Sequence, residues 1–232
     1  DGAIEACTLD KITMEPSLSI VGDPGQRPVG ICGSGILDLI AEGFLSGWID
    51  SAGNLQKSAS PCIRDVWDDT RQRNVPAIIY AYDSNVPLYF TQDDIGEFLT
   101  CKAAAHTMVA TLLESVNVSP SEIGAFYLAG GFGTHYDLES AITVGLYPDL
   151  PREKFKILGN SSLAGAKRLL LDTGCRARLD QIRALATYVQ FGEMEKFVEN
   201  MQAARFLPHT DASRYPSVMR SRLMRLRQLY FA

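Results

Sequence analysis

The chain has 232 residues, of which 46% are hydrophobic and 21% are charged, and its formal net charge at pH 7 is -5. A chain of this length and composition can bury one substantial core and a smaller appendage. The negative charge argues against nucleic acid or an anionic membrane as the main partner, and no stretch approaches the roughly 20 apolar residues that span a bilayer.

The first third of the chain predicts two strands, a helix and a polar excursion. Two β-like runs, Ile4 to Met14 and Leu18 to Val21, fit a hairpin or a pair of edge strands. A helical repeat of apolar residues then begins at Ser34, a candidate N-cap, and ends before Gly47. Residues 50 to 75 are polar and contain turn formers, which predicts a surface excursion.

The middle of the chain predicts two more strands and a long helix. Ala77 to Tyr82 and Leu88 to Phe90 are β-like, and Thr91 with Asp94 forms a variant of the capping box that starts a helix. The helix that follows keeps one apolar face and carries His106 on it. This position predicts a buried histidine with a satisfied hydrogen bond rather than a catalytic group.

Two strand-loop-helix units follow. The first is an apolar run over residues 125 to 129 that leads into Gly130-Gly131-Phe132-Gly133. The second is the short strand Lys156 to Leu158, a turn over residues 159 to 162 and a helix over residues 163 to 172. This alternation predicts an α/β layer with a substantially parallel sheet. In such sheets, ligands bind where loops leave the carboxyl ends of strands.

The glycine-rich stretch 130 to 133 has two interpretations. Glycine has no Cβ, so it can take positive φ and let a flat ligand approach the backbone closely. A Gly-Gly pair is also common in tight turns that only pack. The residues on either side must decide between a ligand platform and a packing turn.

The end of the chain, residues 176 to 232, predicts a C-terminal helical extension packed on the preceding residues. The last twenty residues combine five arginines with an apolar stripe at helical spacing. This predicts a solvated amphipathic helix on its own domain or on a partner subunit. The stripe consists of Leu223, Leu226, Leu229 and Tyr230.

The cysteines and the first residue bear on metal binding, localisation and the extent of the protein. The five cysteines include no Cys-x-x-Cys pair and no Cys/His cluster at metal-ligand spacing, so we expect reduced, mostly buried thiols and no metal site. No basic segment followed by an apolar core stands at the start, which favours a cytoplasmic protein. The chain begins at Asp1 without a methionine, and we expect it to be a piece of a longer protein.

Several segments together resemble one family in chain order. The stretch Phe126 to Gly133, followed by Asp137 to Ala141 and Gly145 to Pro148, is similar to the C-terminal domain of reductive activators of corrinoid proteins. Further segments that resemble this family are Gly30 to Ile36, Gly159-Asn160 with Ser162 to Ala166, Phe206 to His209 and Tyr215 to Val218. The resemblance covers about residues 2 to 218.

The resemblance implies the superfamily of acetate and sugar kinases, heat-shock chaperones and actin. The expected fold is α/β, a ribonuclease-H-like mixed sheet with flanking helices that forms half of an actin-like ATPase. Residues 1 to 175 would form the adenosine-side subdomain, and residues 176 to 232 would cover it. The resemblance implies that Gly130, Gly131, Phe132 and Gly133 approach the adenosine, with Lys102 and the turn Gly159-Asn160-Ser161 beside the nucleotide. Lys102 is equally compatible with a solvated helix lysine.

The resemblance also implies a function. The chain would be part of an ATP-dependent reductive activator of corrinoid proteins, with ATP and Mg in the full-length protein and an iron-sulfur cluster in a domain outside these residues. No Asp-x-Gly-Thr-like segment, which holds phosphates and magnesium in the superfamily, occurs in the sequence. We therefore assign no catalytic residue and expect the chain alone to be inactive. The expected partners are a corrinoid protein and a nucleotide, with a homodimer as a further expectation and neither nucleic acid nor membrane.

Two alternatives stay open. The chain could be a non-catalytic dimerisation and docking module that has lost nucleotide binding. It could also resemble activators of 2-hydroxyacyl-CoA dehydratases, related ATPases in which a glycine-rich turn carries a cluster cysteine. Cys32, just before Gly33, has that placement, and the cluster would be shared with a second subunit.

Overall fold

The computed structural model describes residues 1–10, 15–23, 25–194 and 196–231, without the side chains of Phe132, Tyr230 and Phe231. The chain divides into two compact units. The first comprises Asp1–Val109, Tyr136–Asp149 and Val198–Ala232, and the second comprises Ala110–His135 and Leu150–Phe197. The predicted boundary at residue 175 stays a prediction. Within the described ranges, no helix combines the length and the apolarity that crossing a membrane requires.

The described residues form eight strands and eight helices. The strands are β1 (Ala3–Leu9), β2 (Pro16–Ile20), β3 (Gly30–Ile31), β4 (Ile63–Asp68), β5 (Arg73–Asp83), β6 (Val86–Thr91), β7 (Phe126–Ala129) and β8 (Phe155–Gly159). The helices are α1 (Gly33–Leu45), α2 (Gln92–Ser115), α3 (Gly130–His135), α4 (Leu138–Thr143), α5 (Ser161–Leu171), α6 (Cys175–Leu185), α7 (Phe197–Ala204) and α8 (Pro216–Phe231).

The first unit contains two three-stranded sheets. In one, β1 lies between β2 and β3, antiparallel to β2 and parallel to β3. In the other, β5 lies between β4 and β6 and is antiparallel to both. The predicted N-terminal hairpin is confirmed as β1 and β2, although residues 11 to 14 of its first run lie outside the described residues.

The predicted surface excursion over residues 50 to 75, for which no local structure was expected, contains strands in its second half. Residues 63 to 68 form β4, and β5 begins at Arg73. Among the described strands, β4 pairs with β5 alone, and its Arg64, Asp65 and Trp67 are exposed. Edge strands commonly carry charged side chains, which gave this segment the composition of a loop. This sheet is antiparallel throughout.

The helices of the first unit confirm most of the predicted helical segments. In the capping box of α2, the Asp94 amide donates to the Thr91 hydroxyl oxygen (3.1 Å) and the Thr91 amide donates to the Asp94 carboxylate (2.9 Å). At α1 the predicted N-cap is wrong. Cys32 is the N-cap residue, and the Ser34 hydroxyl donates to the backbone carbonyl of Glu5 in β1 instead of serving the helix.

The last helix, α8, packs on α1 through arginines rather than through a continuous apolar stripe. The Arg222 guanidinium lies 4.3 Å from the centre of the Phe44 ring and donates to the Phe44 carbonyl. Arg225 forms an ion pair with Glu42. Leu223, a member of the predicted stripe, is exposed, and the side chain of Tyr230 lies outside the described residues. Packing of the terminal helix on its own domain is thus confirmed.

The second unit contains the predicted pair of strand-helix units. The strands β7 and β8 form a parallel two-stranded sheet, with α3 directly after β7 and α5 after β8. Parallel pairing among the described strands therefore occurs here and between β1 and β3. The expected α/β class with a mixed set of strands is confirmed, distributed over three small sheets.

Candidate functional site

The predicted glycine-rich loop is the start of a short helix. The strand β7 ends at Ala129, and α3 begins at once with Gly130. Gly130 has φ of +85°, the left-handed conformation that glycine adopts without strain. The Thr134 hydroxyl donates to the Gly130 carbonyl at 2.9 Å. The prediction of a loop was wrong because a single left-handed residue is enough to turn this strand directly into a helix.

The glycines of this stretch have different surroundings. A Cβ added to Gly130 or Gly131 would have no heavy atom within 4 Å, so these two backbones border open space. A Cβ on Gly133 would lie 3.0 Å from Leu128, and Gly133 is buried. Gly133 thus allows α3 to pack on β7, as the packing interpretation predicts, and the ligand platform at Gly130 and Gly131 stays a prediction.

The junction between β8 and α5 has a similar design. Gly159 has φ of +63°, and an added Cβ would also meet nothing within 4 Å. Asn160 caps α5, because its side-chain oxygen accepts a hydrogen bond from the Leu163 amide at 3.0 Å. Ser161 is the first residue of the helix rather than part of a turn, so the predicted turn over residues 159 to 162 is too long.

Parallel pairing places these two junctions side by side. Ala129 of β7 pairs with Gly159 of β8, after a register shift that follows the pair Leu128 and Ile157. Neighbouring strands lie about 4.8 Å apart, so Gly130 and Asn160 leave adjacent strands at the same edge of the sheet. The structure thus brings together Gly130 and Gly131 with Gly159, Asn160 and Ser161. We call this edge the glycine shelf.

Lys102 lies on α2 in a different environment. Its ammonium group is 2.5 to 2.7 Å from the backbone carbonyls of Ala204, Phe206 and Pro208. The residue is only 2% exposed, so the interpretation as a solvated helix lysine is wrong. A lysine ammonium has three N–H donors, and all three are used here, which leaves none for a nucleotide. Burial lowers the pKa of Lys102 to about 7.

The sequence did not reveal the polar cluster beside Lys102. His106 Nδ1 lies 3.1 Å from the Gly145 carbonyl and 3.2 Å from the Tyr215 hydroxyl, which confirms the predicted buried histidine. The ring of His209 lies 5.3 Å from that of His106. Burial, with the nearby positive charges of Lys102 and Arg214, lowers the pKa of His106 to about 3. Burial also lowers the pKa of His209 to about 4. Only the family resemblance indicates the stretch Phe206 to His209, since no local spacing predicts its contact with α2.

The five cysteines are all free. The expectation that most are buried is wrong, because only Cys7 is buried. Cys32, at the start of α1, is half-buried with its sulfur 3.2 Å from the Ser34 hydroxyl. Burial acts to raise its pKa, but hydrogen bonds from Ser34 and from the Gly35 and Ser34 amides outweigh this and lower the pKa. Among the described residues, no group of three or more His, Cys, Asp or Glu could hold a metal ion.

Comparisons with known proteins place the chain among named relatives. Residues 1–219 match the family described as the C-terminal domain of RACo, the ASKHA domain. The "Corrinoid activation enzyme RamQ" of Eubacterium limosum is 30% identical over 206 residues, which are 85% of this chain and 34% of that protein. A solved structure of a "Reductive activator for corrinoid,iron-sulfur protein" is similar with a TM-score of 0.82 and 33% identity, over 94% of this chain and 34% of that one. The chain thus spans about a third of the length of these relatives.

Proposed function

The chain belongs to the family of RACo C-terminal domains, which are ASKHA domains, and from this membership we propose that it supplies the adenosine-binding side of an ATP site in a reductive activator of corrinoid proteins. The observation that carries the proposal is the glycine shelf. Two glycine-bearing strand ends lie next to each other there, and both border open space.

The shelf suits the apolar part of a nucleotide. A purine is a planar ring system, and a backbone without side chains lets the purine and its ribose approach closely. Gly130, Gly131 and Gly159 supply that bare surface. Asn160 and Ser161 stand at its border with an amide and a hydroxyl that suit the ribose hydroxyls.

The remaining parts of the activity are assigned to other residues of a full-length protein. We propose that the phosphates of ATP and the Mg ion are held there, since this sequence has no Asp-x-Gly-Thr segment for phosphates. An iron-sulfur cluster would also lie outside this chain. ATP binding would bias the conformation of the activator and its corrinoid partner, and so support the uphill reduction of the cobalt.

The proposal is tested by titrating the chain with ATP in a calorimeter. We expect weak binding and no hydrolysis, because the phosphate-handling segments are missing. The variant Gly131→Leu should weaken binding about tenfold or more by filling the shelf. Gly96→Leu is the matched control, since this glycine also lies in a helix with open space around it, and it should bind ATP like the unchanged chain.

Other outcomes would contradict parts of this proposal. Micromolar binding with turnover by this chain would overturn the expectation that it is inactive alone. A stable dimer in solution that shows no thermal shift with any nucleotide would favour the docking module instead. Equal loss of binding in Gly131→Leu and Gly96→Leu would remove the shelf from the site.

The alternative of an activator of 2-hydroxyacyl-CoA dehydratases rests on Cys32. Its lowered pKa favours the thiolate, which is the form that binds metals. This alternative requires a dimer with an iron-sulfur absorption spectrum, and the spectrum should vanish in Cys32→Ala. Our leading proposal expects no such spectrum from this chain.

A further inference from the structure

The helices α5 and α6 of the second unit expose an unusual amount of apolar surface. Neither helix contains a buried residue. Leu170, Leu185 and Leu171 are 86%, 84% and 76% exposed, and Leu163 and Ile182 are also more than half exposed. Monomeric soluble proteins rarely leave large apolar patches open, and such patches usually mark an interaction site.

The two helices form two apolar grooves. Leu169 and Leu179 line both grooves. One groove has a volume of about 340 Å³ and is bordered by Arg168, Arg178 and Ile182. The other has a volume of about 580 Å³ and is bordered by Leu170, Arg176 and Asp180. We call the two helices with these grooves the α5–α6 surface. Its concave shape suits an inserted side-chain row better than a flat partner.

The α5–α6 surface is also basic. Residues 161 to 185 carry five basic and two acidic side chains, although the whole chain has a net charge of -5. Both acidic groups have neighbours: Asp180 lies 4.0 Å from Arg183, and Asp172 accepts hydrogen bonds from the Gly174 amide and the Cys175 thiol.

Three arginines border the grooves, namely Arg168, Arg176 and Arg178. Within the described part of the chain their guanidinium groups make no side-chain hydrogen bond and no ion pair, although Arg168, after the Cys175 thiol and the Gly174 amide, helps to lower the pKa of Asp172. A guanidinium at the border of an apolar groove can donate two parallel hydrogen bonds to a carboxylate. The positive charges at the groove borders therefore favour a partner that carries acidic side chains.

We propose that the α5–α6 surface binds an amphipathic helix with acidic flanks from a partner protein. The apolar edge of that helix would fill a groove, and its carboxylates would meet Arg168, Arg176 and Arg178. This is the helix-in-groove mode of recognition. The proposal goes beyond the nucleotide site and needs no nucleotide.

Charge and shape disfavour two other occupants. A second copy that met the same surface face to face would set arginines against arginines, and like charges at an interface are costly. An anionic membrane would attract the arginines, but it offers no row of side chains to fill two grooves, and the net negative charge of the chain opposes its approach.

The test uses a fluorescent helical peptide of about 18 residues with leucines at positions i, i+3, i+4 and i+7 and glutamates on both flanks. A matched peptide carries lysine in place of each glutamate. Fluorescence anisotropy should show binding of the glutamate peptide and not of the lysine peptide. The variant Arg178→Glu should weaken binding of the glutamate peptide about tenfold and allow the lysine peptide to bind. Arg220 is an exposed arginine on α8, so Arg220→Glu is the charge-matched control and should leave the binding of both peptides unchanged.

The apolar contribution is tested separately. Leu170→Gln should weaken the glutamate peptide about tenfold, and the high exposure of this side chain means that the fold does not depend on it. Leu112→Gln on α2, where leucine is 45% exposed, is the matched control and should bind normally. Failure of both peptides to bind would overturn the proposal.

Two further measurements can overturn it in favour of another occupant. Cosedimentation with vesicles of about 30% phosphatidylserine that Arg178→Glu abolishes, without peptide binding, would identify a membrane surface. A concentration-dependent dimer that Leu170→Gln dissolves would identify a second copy of the chain.

Discussion

The ammonium of Lys102 is held inside the first unit by three backbone carbonyls that come from one short segment, residues 204 to 208. A buried charge is tolerated only when its donors are satisfied. Lys102 meets this condition through the backbone, because carbonyl oxygens of Ala204, Phe206 and Pro208 occupy all three directions. The side chain therefore fixes where this segment lies on α2.

Replacing this lysine tests its structural role. The variant Lys102→Met keeps the length of the side chain but leaves three carbonyls without a donor, so the free energy of unfolding should fall by about 3 kcal/mol or more. Urea unfolding measures this change. Lys57→Met is the control, since Lys57 is half exposed and pairs with Asp65 at the surface, and its stability should hardly change. Equal effects of the two variants would contradict the role of Lys102.

The two neighbouring histidines predict how stability depends on pH. The folded pKa values of His106 and His209, about 3 and about 4, lie below the ordinary value of 6.5, so the unfolded chain takes up protons first as the pH falls. The contribution of the two neutral rings to the free energy of unfolding is complete above pH 6.5. It is lost as the pH falls from 6.5 to the folded pKa values. Lys102 and Arg214 face this pair with positive charge, and Asp211 faces His209 with negative charge. Urea midpoints should therefore drop steadily below pH 6.5, and less steeply in His106→Phe. A midpoint that is constant down to pH 4 would contradict the burial of neutral rings.

At the scale of the elements, the turn after α4 packs closely against the backbone of the segment that contains Pro208. Gly145 has φ of +80°, and its amide donates to the Ile142 carbonyl, which ends the helix. A Cβ at this position would lie 2.1 Å from the Pro208 carbonyl oxygen. The end of α4 and the segment that Lys102 holds thus meet backbone to backbone, and glycine is required for both reasons.

Two glycine substitutions separate these reasons. Gly25 has a similar φ of +89° but no atom within 4 Å of an added Cβ, so Gly25→Ala isolates the conformational penalty of about 1 kcal/mol. Gly145→Ala adds the clash and should lose about 3 kcal/mol or more. Thermal unfolding followed by circular dichroism compares them. Similar losses in both variants would show that the backbone contact can relax.

The elements that could be predicted from the sequence are those with a local signal. The spacing of two residues predicts the capping box of α2, and short apolar runs predict the strands β7 and β8. The glycine shelf follows from two such stretches and the rule for parallel sheets. The strand β4 was missed because its partner β5 defines it, and the surroundings of Lys102 were missed because its acceptors lie more than a hundred residues further along the chain.

At the scale of the whole molecule, the chain spans about a third of its relatives and leaves two surfaces of the second unit open. The first is the glycine shelf at the end of the parallel strands, and the second is the α5–α6 surface. Parallel sheets are normally covered on both faces, yet Tyr127 and Leu158 of β7 and β8 are exposed. The second unit therefore leaves apolar side chains exposed, whereas the first unit contains most of the buried apolar residues.

The distance along the chain between Lys102 and its acceptors also orders events during synthesis. The carbonyls of Ala204, Phe206 and Pro208 are made 102 to 106 residues after the lysine, which takes roughly 5 to 20 s at the usual rate of translation. During that interval the three carbonyls that satisfy the Lys102 ammonium in the folded chain do not yet exist. This interior face of the first unit therefore cannot be completed before residue 208 has been synthesised.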